Sequence, residues 1–225
     1  TVTDELSGVK ILHAAGLFNL GKSINLSREQ RKAYIQLVRS KKLDGYKVVF
    51  GSIEQIKKYR ELYGYKFVDL DQETDNGFID MKSKIIHLIN PSVETLVHEM
   101  IHAATYGSIL NYYRDSSLNS KEVNEAIERI EGLMGEFLKL SPKELARLTP
   151  DQRAAISNVK AAIQEPGNNF DNAPDVALAK SLNEFMAWSL SNQELISAFK
   201  NVKLPTALQI AKEVIAIIKK FFTFK

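Results

Sequence analysis

The sequence predicts an α+β fold in which a small mixed β-sheet is followed by a mostly helical C-terminal half. Runs rich in β-forming residues are confined to the first 90 residues, whereas the later segments carry helical patterns and helix-capping signals. The predicted strands are residues 46–50, 65–70, 78–81 and 84–89. The last two are joined near Lys82 and Ser83, and they form a β-hairpin that leads directly into a helix.

The helices are predicted from their start and stop signals. In the first part, residues 5–20 are mildly apolar and predict a helix, and a polar loop is predicted over residues 71–77. A capping box at Ser27 opens a helix towards Lys41, and Ser52 caps a helix that Gly64 ends. Later helix starts are predicted at Pro91, Ser120, Ser141, Thr149, Ser191 and after Pro205, with a loop over residues 166–174.

Composition sets the class of protein. The chain has 225 residues, 44% of them hydrophobic and 25% charged, which is ordinary for a globular domain. A net charge of +3 predicts no particular partner, and the absence of cysteine excludes disulfides and thiolate zinc ligands. We see no signal peptide and no membrane span, and the start at Thr1 suggests a domain cut from a longer polypeptide or a processed product. We therefore expect a cytoplasmic or virion-associated protein with flanking domains.

The pentapeptide His98-Glu99-Met100-Ile101-His102 is the most informative motif. On a helix, His98 and His102 are one turn apart and point the same way, so that they can share one Zn²⁺. Glu99 can then accept a proton from the water that such a metal binds. Residues 91–106 fit a helix that Asn90 or Ser92 caps, with apolar residues over a broad surface. The alternative is a pair of core histidines bonded to neighbours, but two imidazoles and a carboxylate are costly to bury together without a metal.

A catalytic zinc takes three protein ligands, and the third ligand is predicted to be a carboxylate. Thr105 and Ser108 stand where a further Gly and His would follow in a metzincin pattern, and His13 lies in a predicted apolar helix that favours a structural role. Glu184 is favoured because it is an isolated acid on a very apolar predicted helix, where only Lys180 offers a nearby ion pair. Glu125 comes next, although it lies on a charged helix face, and Asp171 follows.

The motif His98-Glu99-x-x-His102 with the downstream pair Asn183-Glu184 resembles the gluzincin branch of the zincin metallopeptidases. The resemblance implies a zincin-like fold and zinc bound by His98, His102 and Glu184, with Glu99 as the acid/base. It also implies that residues 85–89 form an edge strand that binds extended peptide by strand addition. The spacing to Glu184 departs from thermolysin-like enzymes, which makes residues 119–166 a helical insertion. The domain then comprises an α/β part (1–90), an active-site helix (91–118), that insertion, and C-terminal helices (174–225).

The predicted activity is zinc-dependent hydrolysis of a peptide or protein substrate. Candidate hydrogen-bond donors to the transition state are Tyr106, Tyr112, Tyr113 and His87. The alternative is a metal-binding zincin-like scaffold or a self-processing module without general proteolytic activity. The run from Glu184 to Trp188, together with residues 192–195 and a basic final helix, resembles zincin-like domains of large multidomain phage proteins.

The sequence offers candidate surfaces for two other classes of partner. The basic N-terminal third, with Tyr34, Tyr46 and Tyr59 interleaved, is a candidate nucleic-acid surface, but the mixed acids favour an ordinary solvated face. The final predicted helix, with lysines flanking Phe221 and Phe222, is a candidate for docking on a partner or an anionic membrane, and ordinary packing is favoured.

Overall fold

A computed structural model describes residues 1–66, 76–89, 91–164 and 173–201. The chain divides into two compact units, Thr1–Ala103 and Ala104–Lys225. The first unit holds the β-sheet and the second is helical, which confirms the predicted α+β class and the order of its parts. The helix α4, Val93–Arg114, runs without interruption from the first unit into the second. That residues 1–225 form one metallopeptidase-like domain stays a prediction.

The sheet of the first unit has five described strands. They are β1 (Val2–Thr3), β2 (Lys10–His13), β3 (Lys47–Phe50), β4 (Gly77–Asp80) and β5 (Ile85–Leu88). Their spatial order is β1-β2-β3-β5-β4. The β3–β5 pair is parallel and the other pairs are antiparallel, so the sheet is mixed as predicted.

Three α-helices accompany the sheet in the part of the chain that the structure describes before α4. They are α1 (Ala14–Ser23), α2 (Arg28–Arg39) and α3 (Ile53–Leu62). The Ser27 and Ser52 side chains each accept a hydrogen bond from the backbone N–H three residues on, and a glutamine there bonds back, so both are capping boxes. Gly64 follows α3 with φ +66°, a left-handed conformation that suits glycine. The predicted starts are confirmed, and α2 ends two residues before the predicted end at Lys41.

The prediction of a helix over residues 5–20 is wrong in its first half. Lys10–His13 forms β2, which pairs with β3 in the register Leu12↔Val48, and the helix begins only at Ala14. A four-residue segment is too short to carry a decisive period, and the partner strand β3 lies more than 30 residues away in sequence. His13 ends β2 as an exposed residue, so its expected place in an apolar helix is also wrong.

The predicted edge strand is also wrong. Residues 85–89 do not lie at the edge, because β5 is hydrogen-bonded to β3 on one side and to β4 on the other. Within the described sheet, β4 is the outer strand beside β5. Sequence alternation identifies a strand, but the order of strands depends on pairings that are distant in sequence.

One face of the sheet packs on α3. Val49 of β3 and Ile85 of β5 cluster with Ile53, Ile56 and Tyr59 of α3. His87 lies on the same face, since it is two residues from Ile85 in a strand. Its ring is fully buried, stacks on Phe78 of β4 with centroids 4.2 Å apart, and places Nε2 3.2 Å from Nη1 of Arg60. Arg60 is itself buried and pairs with Asp80 at 3.0 Å. His87 is therefore part of the core of the sheet.

Burial of the His87 ring, reinforced by the neighbouring Arg60 charge, lowers the pKa of His87 from 6.5 to about 3. The unfolded chain thus takes up a proton below pH 6.5 that the folded chain does not bind. We expect the free energy of unfolding to fall as the pH falls from 6.5, with His87 contributing about 3 kcal/mol of loss by pH 4. Urea unfolding at pH 7, 5.5 and 4 measures this loss.

The matched control is His87→Leu, which removes the titrating ring and leaves Asp80 to titrate in both proteins. The variant should be less stable at pH 7 but should show a shallower loss of stability in acid. An identical pH dependence in the two proteins would contradict the assignment.

The second unit packs helices around aromatic side chains. Its described helices after α4 are α5 (Lys121–Leu138), α6 (Pro142–Leu145), α7 (Pro150–Gln164), α8 (Pro174–Ser191) and α9 (Gln193–Asn201). Phe137 of α5 contacts Phe185 of α8 and Phe199 of α9, with ring centroids 5.4 and 5.9 Å apart. The predicted starts are confirmed at Ser120, Ser141 and Thr149, and Asn192 rather than Ser191 caps α9.

Some predictions lie wholly or mainly outside the described residues. These are the strand over residues 65–70, the polar loop before β4, the cap at Asn90, the loop with Asp171, and the helix after Pro205. Among the helices that the structure describes, none is both long enough and apolar enough to cross a bilayer.

Candidate metal centre

The motif lies on α4, which begins one residue after Ser92. The Ser92 hydroxyl accepts a hydrogen bond from the Thr95 N–H at 3.0 Å, so Ser92 caps the helix and Pro91 precedes it. The helix continues to Arg114, two turns past the segment 91–106 that fits the helical pattern and within the predicted active-site segment 91–118. Val97, Met100 and Ile101 are fully buried around the motif. The sequence thus places its two motif histidines on a helix that apolar contacts hold in place.

His98 and His102 face one another across one turn of α4. Their Nε2 atoms are 2.9 Å apart, and their rings meet edge to face with centroids 4.5 Å apart. Two imidazole nitrogens bound to one tetrahedral zinc at about 2.05 Å would lie about 3.3 Å apart. A change of a few tenths of an ångström, within reach of small χ rotations, would therefore fit both rings to one ion.

Glu184 on α8 supplies a third donor. One carboxylate oxygen of Glu184 and one nitrogen from each histidine all lie within 4.8 Å of one another. The predicted trio of His98, His102 and Glu184 is thus brought together. Glu125 is exposed on α5, where its carboxylate is 3.7 Å from the ammonium of Lys121, and it does not belong to this group. Two neutral imidazoles and one carboxylate form a donor set that suits zinc with an open fourth position.

The direction of α8 along the second half of α4 follows from two contacts within the helical unit. Asn183 Nδ2 donates a hydrogen bond to Thr105 Oγ1 at 2.7 Å, and Arg114 pairs with Asp175. Thr105 and Arg114 are nine residues apart on α4, and their partners are eight residues apart on α8 in the reverse order. The two helices therefore run antiparallel.

Asn183 and Thr105 are the site residues that sequence reasoning missed. In the sequence motifs, Asn183 appears only as the neighbour of Glu184, and Thr105 only as a mismatch to a metzincin pattern. Both are buried, with exposed fractions of 2% and 0%. Their signal was present in the sequence, since each is a polar residue on an apolar helix and buried polar groups require hydrogen-bond partners.

Glu99 is the candidate general base. It directly follows His98 on α4, and its side chain is 7% exposed, while that of His102 is 8% exposed. The residue type, its place next to the first histidine and its burial all suit proton transfer.

Helix geometry separates the candidate hydrogen-bond donors. Tyr106 is four residues after His102 and lies on the same face of α4, one turn away. Tyr112 and Tyr113 are ten and eleven residues after His102, which places them about 15 Å further along the helix axis. The Tyr113 hydroxyl donates to Glu131 of α5 at 2.9 Å, and burial raises the pKa of Tyr113. With His87 in the core of the sheet, Tyr106 is the candidate best placed near the histidines.

No family model matches the chain, and no solved structure matches it. The chain is similar to the virion DNA-directed RNA polymerase of Enterobacteria phage N4, with 32% identity over 220 residues. The match covers 95% of this chain and 6% of the relative, so the chain spans only a small part of the length of that virion protein. The similarity agrees with the expected phage context and with the expected flanking domains.

Proposed function

We propose that this chain is a zinc-dependent metallopeptidase domain of a large phage virion protein. The observation that carries the proposal is the convergence of His98, His102 and Glu184 within 4.8 Å, with the buried Glu99 beside the first histidine. These residue types at this spacing suit metal-assisted hydrolysis. The polymerase activity in the name of the N4 relative belongs to a protein of which this chain matches 6%. It therefore does not assign a reaction to this domain.

In the proposed mechanism, His98, His102 and Glu184 hold the ion. When bound, zinc supplies a Lewis acid that polarises the scissile carbonyl and activates water near neutral pH. Glu99 takes the proton from the attacking water and passes it to the leaving nitrogen. Tyr106 is proposed to donate a hydrogen bond to the developing negative charge on the carbonyl oxygen.

The strand proposed to bind extended substrate is β4, which replaces β5 in that role. The Ile89 N–H donates a hydrogen bond to the Asn76 carbonyl, and hydrogen-bonded positions alternate along an antiparallel strand. The second and fourth residues after Asn76 therefore direct their N–H and C=O groups towards β5. Gly77 and Ile79 therefore direct theirs away from β5. A Cβ on Gly77 would lie 2.8 Å from Cγ2 of Thr95 in the first turn of α4, which shows how closely β4 approaches the motif helix. A peptide added along β4 would run beside that helix.

The second candidate function is a metal-binding or self-processing module that does not cleave general substrates. The small share of the N4 relative that the chain covers supports it, since a short segment of a long polypeptide has many peptide bonds of its own within reach. The same three ligands serve both functions.

Removing the metal tests the proposal. We expect the zinc-loaded chain to cleave an unstructured protein mixture, with cleavage lost on dialysis against a chelator and restored by about one zinc per chain. Mass spectrometry identifies the cleaved bonds, and elemental analysis gives the zinc content. Loss of zinc without any change in cleavage would refute a metallopeptidase. Stoichiometric zinc binding without cleavage of added protein would favour the second candidate.

A further inference from the structure

A row of cations lies on the exposed side of α2 and the short helical turn that follows it. Residues 28–42 contain six basic residues and one acidic residue. The exposed cations in this row, which we call the basic face, are Arg28, Arg31, Lys32, Arg39 and Lys42. Within α2, basic residues follow Arg28 after three, four and eleven positions, so Arg31, Lys32 and Arg39 lie along the same side of the helix as Arg28.

A cavity of about 180 Å³ lies next to the basic face, between α1 and α2. Leu26, Ile35 and Val38 give it apolar walls, and its charged lining residues are Arg31 and Arg39. Its shape is built into the packing of the two helices. A Cβ on Gly21 would lie 2.3 Å from the ring of Tyr34, so only glycine lets the ring approach so closely, and the Tyr34 hydroxyl bonds to the Leu17 carbonyl. The cavity is therefore preformed.

The size and lining of the cavity select the kind of occupant. A cavity of about 150 Å³ is large enough to hold a benzene molecule, so this one holds a single ring or one branched aliphatic side chain, and a long acyl chain does not fit. A nucleobase would bury its polar edges against apolar walls that offer few partners. An apolar amino-acid side chain meets no such cost.

The arginines define what surrounds that side chain. Arg31 and Arg39 are eight residues apart on α2, about 12 Å along the helix axis, with Ile35 midway. An extended peptide covers about 12 Å with between three and four residues. Carboxylates about two residues on either side of an apolar anchor would then reach one guanidinium each.

We propose that the basic face and its cavity bind an acidic peptide segment that carries one apolar anchor residue. The anchor fills the cavity, and acidic residues on both sides pair with Arg31 and Arg39. This surface lies in the first unit on α1 and α2, and it is separate in sequence from the residues of the metal centre.

The binding test uses the full 225-residue chain and a fluorescent seven-residue peptide with leucine at its centre and two acidic residues on each side. We expect saturable anisotropy that weakens as salt rises. Replacing the leucine with serine should weaken binding about tenfold or more. Replacing the acids with their amides should weaken it at least as much. Absence of binding, or equal affinity for the leucine and serine peptides, overturns the proposal.

Variants locate the site. Arg39→Glu should weaken binding about tenfold, and Val38→Phe, which fills the cavity with apolar bulk, should remove the preference for leucine over serine. Lys143→Glu on α6 makes the same change in net charge at an exposed position of the other unit and should leave affinity unchanged. The Arg39→Gln variant tests the loss of the positive charge alone. Circular dichroism shows whether each variant is still folded. A single-stranded DNA of equal charge that competes as well as the peptide, and is insensitive to Val38→Phe, would show a general anion surface and overturn the proposal.

Discussion

Replacing Glu99 with glutamine is expected to lower peptide hydrolysis by about 10²- to 10⁴-fold while the chain keeps its zinc. Glutamine has nearly the same shape as glutamate but does not accept the proton from water. The proposed ligands are His98, His102 and Glu184, so the metal content should stay at one ion per chain. Turnover of a quenched peptide, measured beside elemental analysis of the same sample, checks both parts of this result.

Glu128→Gln is the matched control, because it makes the same chemical change at an exposed position on α5. It should leave both activity and zinc content unchanged. Full hydrolysis by Glu99→Gln with zinc bound would refute the role of Glu99 as the base. Loss of zinc in that variant would instead make Glu99 part of the metal site.

Replacing Glu184 with alanine is expected to weaken zinc binding by more than about 100-fold, because it removes a ligand and the negative charge that balances the ion. Loss of an outer-shell partner of a ligand already costs about 10- to 100-fold in metal affinity, and loss of a ligand should exceed that. Competition with a chromophoric chelator measures the zinc affinity. Activity should fall in parallel at limiting zinc.

The control for this change is Glu125→Ala, which removes the carboxylate of the next candidate ligand in the sequence. Glu125 is exposed on α5 and pairs with Lys121 in water, so its loss should change neither zinc affinity nor activity. If Glu184→Ala kept its zinc through dialysis and Glu125→Ala lost it, the third ligand would have to be reassigned. Circular dichroism of both variants excludes unfolding as the cause.

The fold could be predicted from the sequence where local chemistry decides it. Ser27, Ser52, Ser120 and Ser141 each begin a helix because a side-chain oxygen satisfies a backbone N–H of the first turn, which depends only on nearby residues. The failures are non-local. The strand Lys10–His13 forms because β3 pairs with it, and β5 is internal because both β3 and β4 pair with it.

For the candidate site, too, local features could be predicted from the sequence and non-local features could not. His98 and His102 could be paired from sequence, because helical spacing alone brings their rings to one face. Glu184 could be favoured because a single acid among apolar neighbours requires a partner. The hydrogen bond from Asn183 to Thr105 could not be predicted, because it depends on how α8 lies along α4. The choice among the tyrosines also needed the true length of α4, which extends past Tyr106 to Arg114.

The Thr105–Asn183 contact joins residues 78 positions apart in the chain. The described helices α5, α6 and α7 lie between them in the chain, after α4 and before α8. Contacts between residues so distant in sequence form late in folding, because closing a long loop costs entropy before any contact repays it. A nascent or partly unfolded chain would therefore carry the two histidines without their carboxylate, and a hydrolase built this way would become competent only after its own polypeptide is complete through α8.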